Sequence, residues 1–434
     1  MRVFLSCLVC RIVTFVLHKL GRGATSMPGK VALKVKRNVL KDLSENTKVI
    51  VVTGTNGKTT SCRILEEGLK KAGKSYFINK SGANLITGVT ASFIMNSTIT
   101  GKCKKDYAII ECDENAFKEV SRYIHCDVIL VTNVFRDQLD RYGEVTHTLN
   151  AIKESVKNLP NAIVCLDADC SLTYSMSKEI PNKIITFGVN VPFDKNAKAP
   201  EISDAKYCIF CKHEYDYTYH TYGHLGGFVC PNCGYKRPQP DFAVESVEEM
   251  KNDHSVVVAN LNGDRNIIRV NIGGAYNIYN AIGCAAALTA FGIDEKTVID
   301  AIEHFNGAFG RMEHFKAGDN TVNLILVKNP AGFSQTMNFL KNIDDDFTLI
   351  LSLNDNAADG RDISWIWDVD FAGIFEKANV KEIYVTGKRC YDMAVRVKYE
   401  GVGNREIKII ENEDYNKLVD IATSQGRDVY IVPT

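Results

Sequence analysis

The chain has 434 residues, of which 45% are hydrophobic and 24% are charged. This length exceeds what a single small core needs, so we expect two or three domains. Lys and Arg together number 52, and so do Asp and Glu, which argues against a protein whose main partner is nucleic acid.

The first twenty residues, MRVFLSCLVCRIVTFVLHKL, are apolar and basic. Arg11 interrupts the apolar run, which is too short to span a bilayer as a helix, and no clear cleavage site follows it. We therefore predict an N-terminal helical segment over 1–45 that docks on the rest of the protein. Contact between this helix and a membrane surface is the alternative.

From residue 46 onward, short apolar runs alternate with helical stretches. KVIVVTG, DYAIIECDE, CDVILVTNV and NAIVCLDAD each predict a buried strand that is followed by a helical segment. Continuous apolar strands separated by helices indicate a parallel sheet. We assign this central α/β domain to 46–314. A second alternation, from VNLILVKNP to DVYIVPT, predicts a smaller α/β domain over 315–434.

The run GTNGKTT follows the first predicted strand and precedes a helix, which is the context of a phosphate-binding loop. Glycines let backbone N–H groups wrap phosphates, and the helix N-terminus favours negative charge. Lys58 would reach the outer phosphates, and Thr59 would offer its hydroxyl to Mg²⁺. A simple turn with a chance lysine is the alternative. The candidate ATP-binding residues of the loop are Gly54, Thr55, Asn56, Gly57, Lys58, Thr59 and Thr60.

Acidic and amide side chains follow the next two strands. ECDE places Glu111, Asp113 and Glu114 after one strand, and TNVFRDQLDRYGE places Asn133 and Gln138 after the other. Ligand sites of open α/β sheets lie at the carboxyl ends of the strands, and oxygen ligands suit a hard cation such as Mg²⁺. Asp113 and Asn133 would also serve as helix caps, so the structural alternative stays open.

Four cysteines form two C-x₂-C pairs with eighteen residues between them, a spacing typical of zinc sites: Cys208, Cys211, Cys230 and Cys233. Four thiolates complete a tetrahedral shell, which favours a structural role over a catalytic one. Their surroundings are poor in aliphatic residues, so we expect an inserted module at about 200–240. Nucleic-acid recognition is the alternative, which the absence of a basic run disfavours. The other ten cysteines predict buried free thiols in a reducing cytosol.

Two motifs further along supply candidate nucleotide contacts. YNIYN places Asn277 and Asn280 on one face of a predicted helix, and GRME contains Arg311, which would contact a phosphate or nucleotide. A helix cap and a surface arginine are the alternatives for these residues taken singly.

The segment LNDNAADGRDISWIWD follows a predicted strand in the C-terminal domain. It places Asp355, Asp359 and Asp362 around a turn and contains both tryptophans of the chain, Trp365 and Trp367. A turn needs fewer polar residues than this, so we predict a functional loop. The tryptophan pair would either pack in the core or form an interface contact.

Together these motifs resemble the Mur ligase superfamily of ATP-dependent amide ligases, and within it the MurT family. The superfamily features are GTNGKTT, the acidic strand end, TNVFRDQLDRYGE, the YN-x-x-N helix and GRME. The MurT-like features are GRGATSMPGK, SGANLITGV, the Cys₄ insert, KNPAGF and LNDNAADGRDISWIWD. The resemblance covers nearly the whole chain. It implies a Mur ligase-like α/β fold: a central P-loop domain with a parallel sheet and an inserted Cys₄ zinc ribbon, plus a smaller C-terminal α/β domain.

The resemblance also implies an activity, that of the ligase-like subunit of lipid II isoglutaminyl synthase. ATP would phosphorylate the α-carboxylate of D-glutamate in the lipid II stem peptide, and ammonia from the glutaminase subunit GatD would convert it to D-isoglutamine. The expected location is the cytoplasm, at the inner face of the membrane. A ligase of the Mur or folylpolyglutamate type, which adds a free amino acid, and a zinc-ribbon protein that binds nucleic acid remain as alternatives.

By the same resemblance, ATP contacts extend from the loop to Asn277 and Arg311, and Mg²⁺ is expected at Thr59, Glu111 and Gln138. Many Mur ligases have a histidine where this chain has Gln138, which would make that position a weaker metal ligand. Zinc is expected at the four paired cysteines.

The resemblance further implies that an aspartate of the C-terminal domain completes the Cys–His pair of GatD, an arrangement in which the carboxylate orients the histidine. We assign this role to Asp362, ahead of Asp355 and Asp359.

Overall fold

The computed structural model describes residues 1–21, 26–79, 82–136, 145–193, 204–251, 253–305, 312–318, 320–356, 361–371, 373–376, 379–403, 405–411, 414–424 and 426–434. The chain divides into two compact units. The first comprises Met1–Val134 and Thr146–Asn306, and the second comprises Phe135–Val145 and Gly307–Thr434. The three-part division at 45/46 and 314/315 stays a prediction.

The strands are β1 (Lys48–Thr53), β2 (Tyr76–Ile78), β3 (Tyr107–Glu111), β4 (Val128–Val131), β5 (Ile163–Asp167), β6 (Ile184–Val189), β7 (Asp216–His220), β8 (Gly226–Val229), β9 (Phe242–Met250), β10 (Ser255–Leu261), β11 (Asp264–Val270), β12 (Met312–Ala317), β13 (Asn320–Ile325), β14 (Phe347–Ser352), β15 (Val380–Thr386), β16 (Ile407–Ile409) and β17 (Asp428–Pro433).

The α-helices are α1 (Arg2–Lys19), α2 (Met27–Val35), α3 (Val39–Ser44), α4 (Lys58–Lys71), α5 (Ile86–Met95), α6 (Glu114–Val120), α7 (Val145–Lys157), α8 (Ser171–Ser175), α9 (Ala275–Ala290), α10 (Glu295–His304), α11 (Pro330–Lys341), α12 (Cys390–Glu400) and α13 (Tyr415–Ser424). Short 3₁₀ helices occur at Met176–Lys178, Ser364–Asp368 and Ile374–Glu376.

A nine-stranded sheet with the order β11-β10-β9-β6-β5-β4-β1-β3-β2 forms the centre of the first unit. The strands from β9 to β2 in that order run parallel, and β10 and β11 extend the sheet as an antiparallel hairpin. The apolar run of β1, Val49 to Val52, is fully buried, as expected for a central parallel strand. The hairpin turns at Asn262 and Gly263, both with positive φ.

The second unit has its own six-stranded sheet, in the order β12-β13-β17-β14-β15-β16. Only the β12–β13 pair of this sheet is antiparallel. Phe333, Phe347, Phe371 and Met393 belong to its buried core. A mainly parallel sheet with a separate core confirms the predicted smaller C-terminal α/β fold.

Within the first unit, one side of helix α1 packs against α2 and α5. Ser6, Cys7, Cys10 and Thr14 form its buried side. Arg11 donates hydrogen bonds to the backbone carbonyls of residues 94 and 97, at the end of α5. Among the described residues, no helix is long and apolar enough to cross a membrane.

Candidate functional site

The turn between β1 and α4 adopts a conformation that requires glycine at two positions. Gly54 has φ 121° and Gly57 has φ 84°, which side chains rarely allow. A Cβ atom built on Gly57 would lie 2.1 Å from Oδ1 of Asn280. The loop backbone therefore passes directly against α9. Any side chain at Gly57 would push the loop and α9 apart.

The loop backbone is hydrogen-bonded to the end of β4. The N–H groups of Thr55 and Asn56 donate to the carbonyl oxygen and to Oδ1 of Asn133, at 2.9 Å and 3.0 Å. Thr132 Oγ1 donates to the carbonyl oxygen of Asn56 at 2.7 Å. Asn133 therefore holds the loop in shape.

Lys58 begins α4, and its ammonium group is buried within the loop. Nζ lies 2.7 Å from Oε1 of Glu114 and donates to the carbonyl oxygens of Gly54 and Thr55 at 2.5 Å and 3.2 Å. Burial raises the pKa of Glu114, and the adjacent Lys58 ammonium opposes that shift. The lysine is thus positioned at the centre of the predicted phosphate-binding turn, and Glu114 is its acidic partner.

Thr59 and Glu111 lie together at the end of β3. Thr59 Oγ1 donates to the Glu111 carboxylate, with distances of 3.1 Å and 3.2 Å to its two oxygens. Asn79 Oδ1 accepts from the backbone N–H of Glu111 at 2.8 Å, and Asn79 Nδ2 donates to the Glu111 carbonyl at 2.9 Å. A hydroxyl and a carboxylate side by side are oxygen ligands of the kind that suits Mg²⁺.

Helix α9 presents two buried asparagines beside the loop. Asn280 Nδ2 donates to Asn277 Oδ1 at 3.0 Å, and Asn277 Nδ2 donates to the carbonyl oxygen of Gly273 at 2.6 Å. Because Asn280 contacts the loop at Gly57, Asn277 lies one turn from it on the same helix face. Arg311 and Gln138 lie outside the described residues.

The four paired cysteines converge on one point in the insert. Their Sγ atoms all lie within 4.8 Å of one another, with 3.6 Å between Cys208 and Cys233 and 3.4 Å between Cys211 and Cys230. Zinc–thiolate bonds of about 2.3 Å in a tetrahedron separate the sulfurs by roughly 3.8 Å, so the cluster fits zinc. A hydrogen bond with Asn232 lowers the pKa of the Cys211 thiol to about 6.

The insert is attached to the central sheet by a buried polar network. Arg237 Nε lies 2.5 Å from Oδ1 of Asp169, whose other oxygen accepts from the Val189 N–H at 2.8 Å and from the Tyr279 hydroxyl. Tyr279 also forms a 2.7 Å hydrogen bond with Thr221 of the insert. Burial raises the pKa of Asp169, and Arg237 opposes the shift. Tyr279 lies on α9, so the insert and the P-loop contact the same helix.

In the second unit, the aspartate-rich segment borders a cavity of about 450 Å³. Asp362 lines this cavity, and its Oδ1 accepts from the Ser364 N–H at 2.8 Å. Asp355 Oδ2 lies 3.8 Å from Nη1 of Arg389, another lining residue. Further lining residues are Arg361, Trp367, Tyr391 and Val395. Two of the three predicted aspartates are thus near one cavity, and Asp359 lies outside the described residues.

Two family models match the chain. The Mur ligase middle domain matches residues 52–233, and the MurT ligase C-terminal domain matches residues 326–434. A Streptococcus pneumoniae protein, lipid II isoglutaminyl synthase (glutamine-hydrolyzing) subunit MurT, is 35% identical over 98% of this chain and 95% of its own length. The chain belongs to the MurT family.

Further comparisons agree with the MurT assignment. The Staphylococcus aureus MurT subunit is 33% identical over 92% of this chain and 87% of its own length. Among solved structures, MurF from Acinetobacter baumannii superposes with a TM-score of 0.68 at 16% identity, covering 93% of this chain and 77% of that one. A pseudomurein peptide ligase type C from Methanothermus fervidus superposes with a TM-score of 0.66 at 21% identity. The match covers 89% of this chain and 76% of that one. These likenesses confirm the predicted Mur ligase-like fold.

The structure of this MurT-family chain brings several predicted site residues together. The loop Gly54–Thr60, Glu111 and Asn277 lie around the start of α4, whereas Asp355 and Asp362 belong to the separate second unit. Asp113 caps α6 by accepting from the N–H groups of residues 115 and 116, which is the structural alternative foreseen for it. The functional roles of these residues stay predictions.

Sequence reasoning missed Asn79 and Asp169, and it named Glu114 without its pairing with Lys58. Asn79 supports Glu111 through two hydrogen bonds, and Glu114 pairs with Lys58 rather than serving as one of several strand-end acids. Asp169 attaches the insert to the sheet through Arg237. The sequence could have indicated it, because LDAD, like ECDE, places acidic residues at the end of a predicted strand. Asn79 carried no such signal, since it follows a strand of only three residues.

Proposed function

We propose that this chain is the ligase subunit of a two-subunit enzyme that amidates lipid II during peptidoglycan synthesis. The observation that carries the proposal is the match over 98% of the chain to a subunit named as part of a glutamine-hydrolysing lipid II isoglutaminyl synthase. The loop geometry around Lys58 supports it, because this reaction needs an ATP site.

The reaction consists of two transfers. The α-carboxylate of the stem-peptide D-glutamate attacks the γ-phosphorus of ATP, which gives an acyl phosphate and ADP. Ammonia, released from glutamine by a GatD-like partner, then attacks the acyl carbon, and inorganic phosphate leaves as the D-isoglutamine amide forms and a proton is lost to water. Such chemistry depends on positioning and charge stabilisation rather than on a protein nucleophile.

The P-loop residues would bind the phosphates of ATP. The loop leads into the start of α4, where the helix dipole favours an anion. On phosphate binding, Lys58 would exchange its carbonyl contacts for phosphate oxygens, while Glu114 keeps the ammonium group at the turn. Asn277 and Arg311 would contact the rest of the nucleotide.

Two metal sites are part of the proposal. Thr59 and Glu111, with Gln138, would hold Mg²⁺, whose charge, when it is bound, neutralises the phosphate oxygens. The four insert cysteines would hold a structural zinc ion.

The second unit would bind the glutaminase. Trp367 and Tyr391 are exposed large side chains beside the cavity that Asp362 lines. Exposed aromatic residues next to a functional loop are typical of interface contacts. Asp362 would complete the partner's Cys–His pair, and the complex would act in the cytoplasm, at the inner face of the plasma membrane.

The test is reconstitution. The purified complex with ATP, glutamine and lipid II should release ADP and give an amidated product by mass spectrometry, and omission of glutamine should stop amidation unless ammonium is added. Product formation from a free amino acid, without glutamine or ammonium, would instead identify an amino-acid-adding ligase. Absence of any product from an assembled complex would contradict the proposal.

A further inference from the structure

Helix α1 reverses the usual pattern of a surface helix. It buries small and polar side chains, Ser6, Cys7, Cys10 and Thr14, and it exposes several of its large apolar ones, while the remaining large apolar side chains are half-buried. Six large apolar side chains of this segment are between 40% and 65% exposed: Phe4, Leu5, Ile12, Phe15, Val16 and Leu20. A helix that only docks on a protein core would bury that side.

The exposed apolar residues form one continuous face, which we call the outer face of α1. Ile12, Val16 and Leu20 follow one another at intervals of four residues, and Phe15 lies three residues after Ile12. These spacings place them on one side of a helix. The opposite side carries the buried residues Ser6, Cys7, Cys10 and Thr14 and packs against the protein. The outer face therefore points to solvent in the isolated chain.

The chain segment that contains this face is basic. Residues 1–41 contain nine Lys and Arg and no Asp or Glu, whereas the remaining 393 residues contain 43 Lys and Arg and 52 Asp and Glu. Arg2, Lys19, Lys30 and Lys34 are exposed. The Lys19 ammonium lies 5.5 Å from the ring centroid of Phe15, so a cation borders the apolar face directly. An apolar face with cations at its edge is complementary to an anionic lipid surface.

We propose that the outer face of α1 lies in the headgroup region of an anionic lipid bilayer, parallel to its surface. No described helix could cross the bilayer, so the contact is interfacial. The proposal rests on the proposed function, because a substrate carried by a lipid is presented at such a surface. Docking there would keep the first unit, which contains the P-loop, at the plane where lipid-linked substrate is found.

The test is flotation of the full-length complex with lipid II-free vesicles. Vesicles of equal parts phosphatidylglycerol and phosphatidylcholine should carry the protein, and pure phosphatidylcholine should carry much less. The double variant Ile12→Ser, Phe15→Ser should bind roughly tenfold more weakly or worse, because it removes apolar area from the contact. Both side chains are exposed, so its Tm should match that of the parent. Ile267→Ser, an equally exposed position on β11, is the matched control and should float like the parent.

A second pair of variants tests the charge. Lys30→Gln with Lys34→Gln should weaken binding to the anionic vesicles and reduce its salt dependence, with no effect on the residual binding to phosphatidylcholine.

Three results would overturn the proposal. The parent complex would fail to float with anionic vesicles; the double variant would float as well as the parent; or the double variant would change the oligomeric state or lose the glutaminase, which would identify the outer face as a protein interface. Amidation of detergent-solubilised lipid II separates these failures from a failure of the proposed function. The double variant should be fully active there and deficient only on vesicle-embedded substrate.

Discussion

Lys58 and Glu114 form a pair in which both side chains are more than nine-tenths buried. Removing only the lysine would leave an unpaired carboxylate in a poorly solvated position, which costs about 3–5 kcal/mol. Burial already raises the pKa of Glu114 above its value in the unfolded chain, and removal of the Lys58 ammonium would raise this pKa further. The folded state then binds the proton on Glu114 more tightly than the unfolded state does. The contribution of Glu114 to the free energy of unfolding is therefore retained at low pH and lost as pH rises.

Lys58→Ala should therefore abolish ATP-dependent turnover and lower the Tm more at about pH 8 than at about pH 5. The double variant Lys58→Ala, Glu114→Gln should regain most of the Tm, because it removes the buried charge, and should stay inactive. Thermal scans at the two pH values and an ADP-release assay measure both effects. Turnover in either variant would remove Lys58 from the mechanism.

Gly57 offers a second test at the scale of one residue. Gly57→Ala adds a Cβ that lies 2.1 Å from Oδ1 of Asn280 and also requires an unfavourable φ. Gly73→Ala is the matched control, since Gly73 has φ +64° and nothing within 4 Å of the added atom. Both should lose about 1 kcal/mol to backbone strain, but only Gly57→Ala should lose ATP binding by calorimetry. Equal nucleotide affinity in the two variants would contradict close contact between the loop and α9.

Helix α9 connects two parts of the first unit that are far apart in sequence. Asn280 contacts the P-loop, and the adjacent Tyr279 bonds to Asp169 and to Thr221 of the cysteine insert. The insert has few aliphatic residues, and its small core consists mainly of Cys208, Cys230 and aromatic rings. The folded structure of the insert should therefore depend on the metal. Loss of the metal should also destabilise α9, which the insert contacts.

Cys211→Ser tests this dependence, with Cys103→Ser as a control in which an equally half-buried thiol outside the insert is changed. The Cys211 variant should lose zinc by metal analysis, lower the Tm by several degrees, and increase amide hydrogen exchange in the insert and in α9. Cys103→Ser should keep the metal and the exchange pattern. Full protection of α9 in a zinc-free protein would show that the insert does not support that helix.

Each of the two units of the molecule has its own sheet. The two tryptophans of the second unit lie in different environments. Trp365 is buried beside Phe333, whereas Trp367 is 48% exposed and lies against Tyr399. The first therefore contributes to the core of the unit, and the second offers a large apolar side chain to a partner.

Trp367→Ala should weaken assembly with the glutaminase by about 2 kcal/mol, roughly thirtyfold in Kd, without lowering the Tm of the isolated chain. Phe315→Ala, which removes another half-exposed aromatic ring of the second unit, is the control and should assemble like the parent. Analytical ultracentrifugation or calorimetry with the purified partner would measure the difference. Equal affinities would exclude Trp367 from the interface.

Asp362→Asn should lower glutamine hydrolysis by the assembled complex by at least about tenfold, because an amide cannot stabilise a partner imidazolium. ATP binding should be unchanged, since Asp362 and the P-loop belong to different units. Asp355→Asn is the paired variant and should retain ammonia release. If the Asp355 variant is the defective one, or neither is, the assignment to Asp362 is wrong.

Much of the fold and part of the site follow from local patterns. The P-loop, the parallel strands and the zinc-like cysteine pairs each depend on residue types within a few positions of one another, which is why a sequence alone reveals them. Glu111 was predicted for the same reason, because it follows an apolar strand. The sequence did not show which of Trp365 and Trp367 is buried. Two aromatic residues in a short 3₁₀ helix have no periodicity that distinguishes a buried from an exposed position.

Local sequence patterns were thus enough to predict a nucleotide-binding turn, the α/β class, the Cys₄ insert and the family resemblance. The packing of distant segments determines which acid pairs with Lys58, 56 residues away, and that Tyr279 bonds to Asp169 across 110 residues. Packing likewise determines that α1 buries small and polar side chains and exposes several large apolar ones. Contacts of this kind form when distant segments pack together, and no spacing within a segment records which partner each side chain will meet.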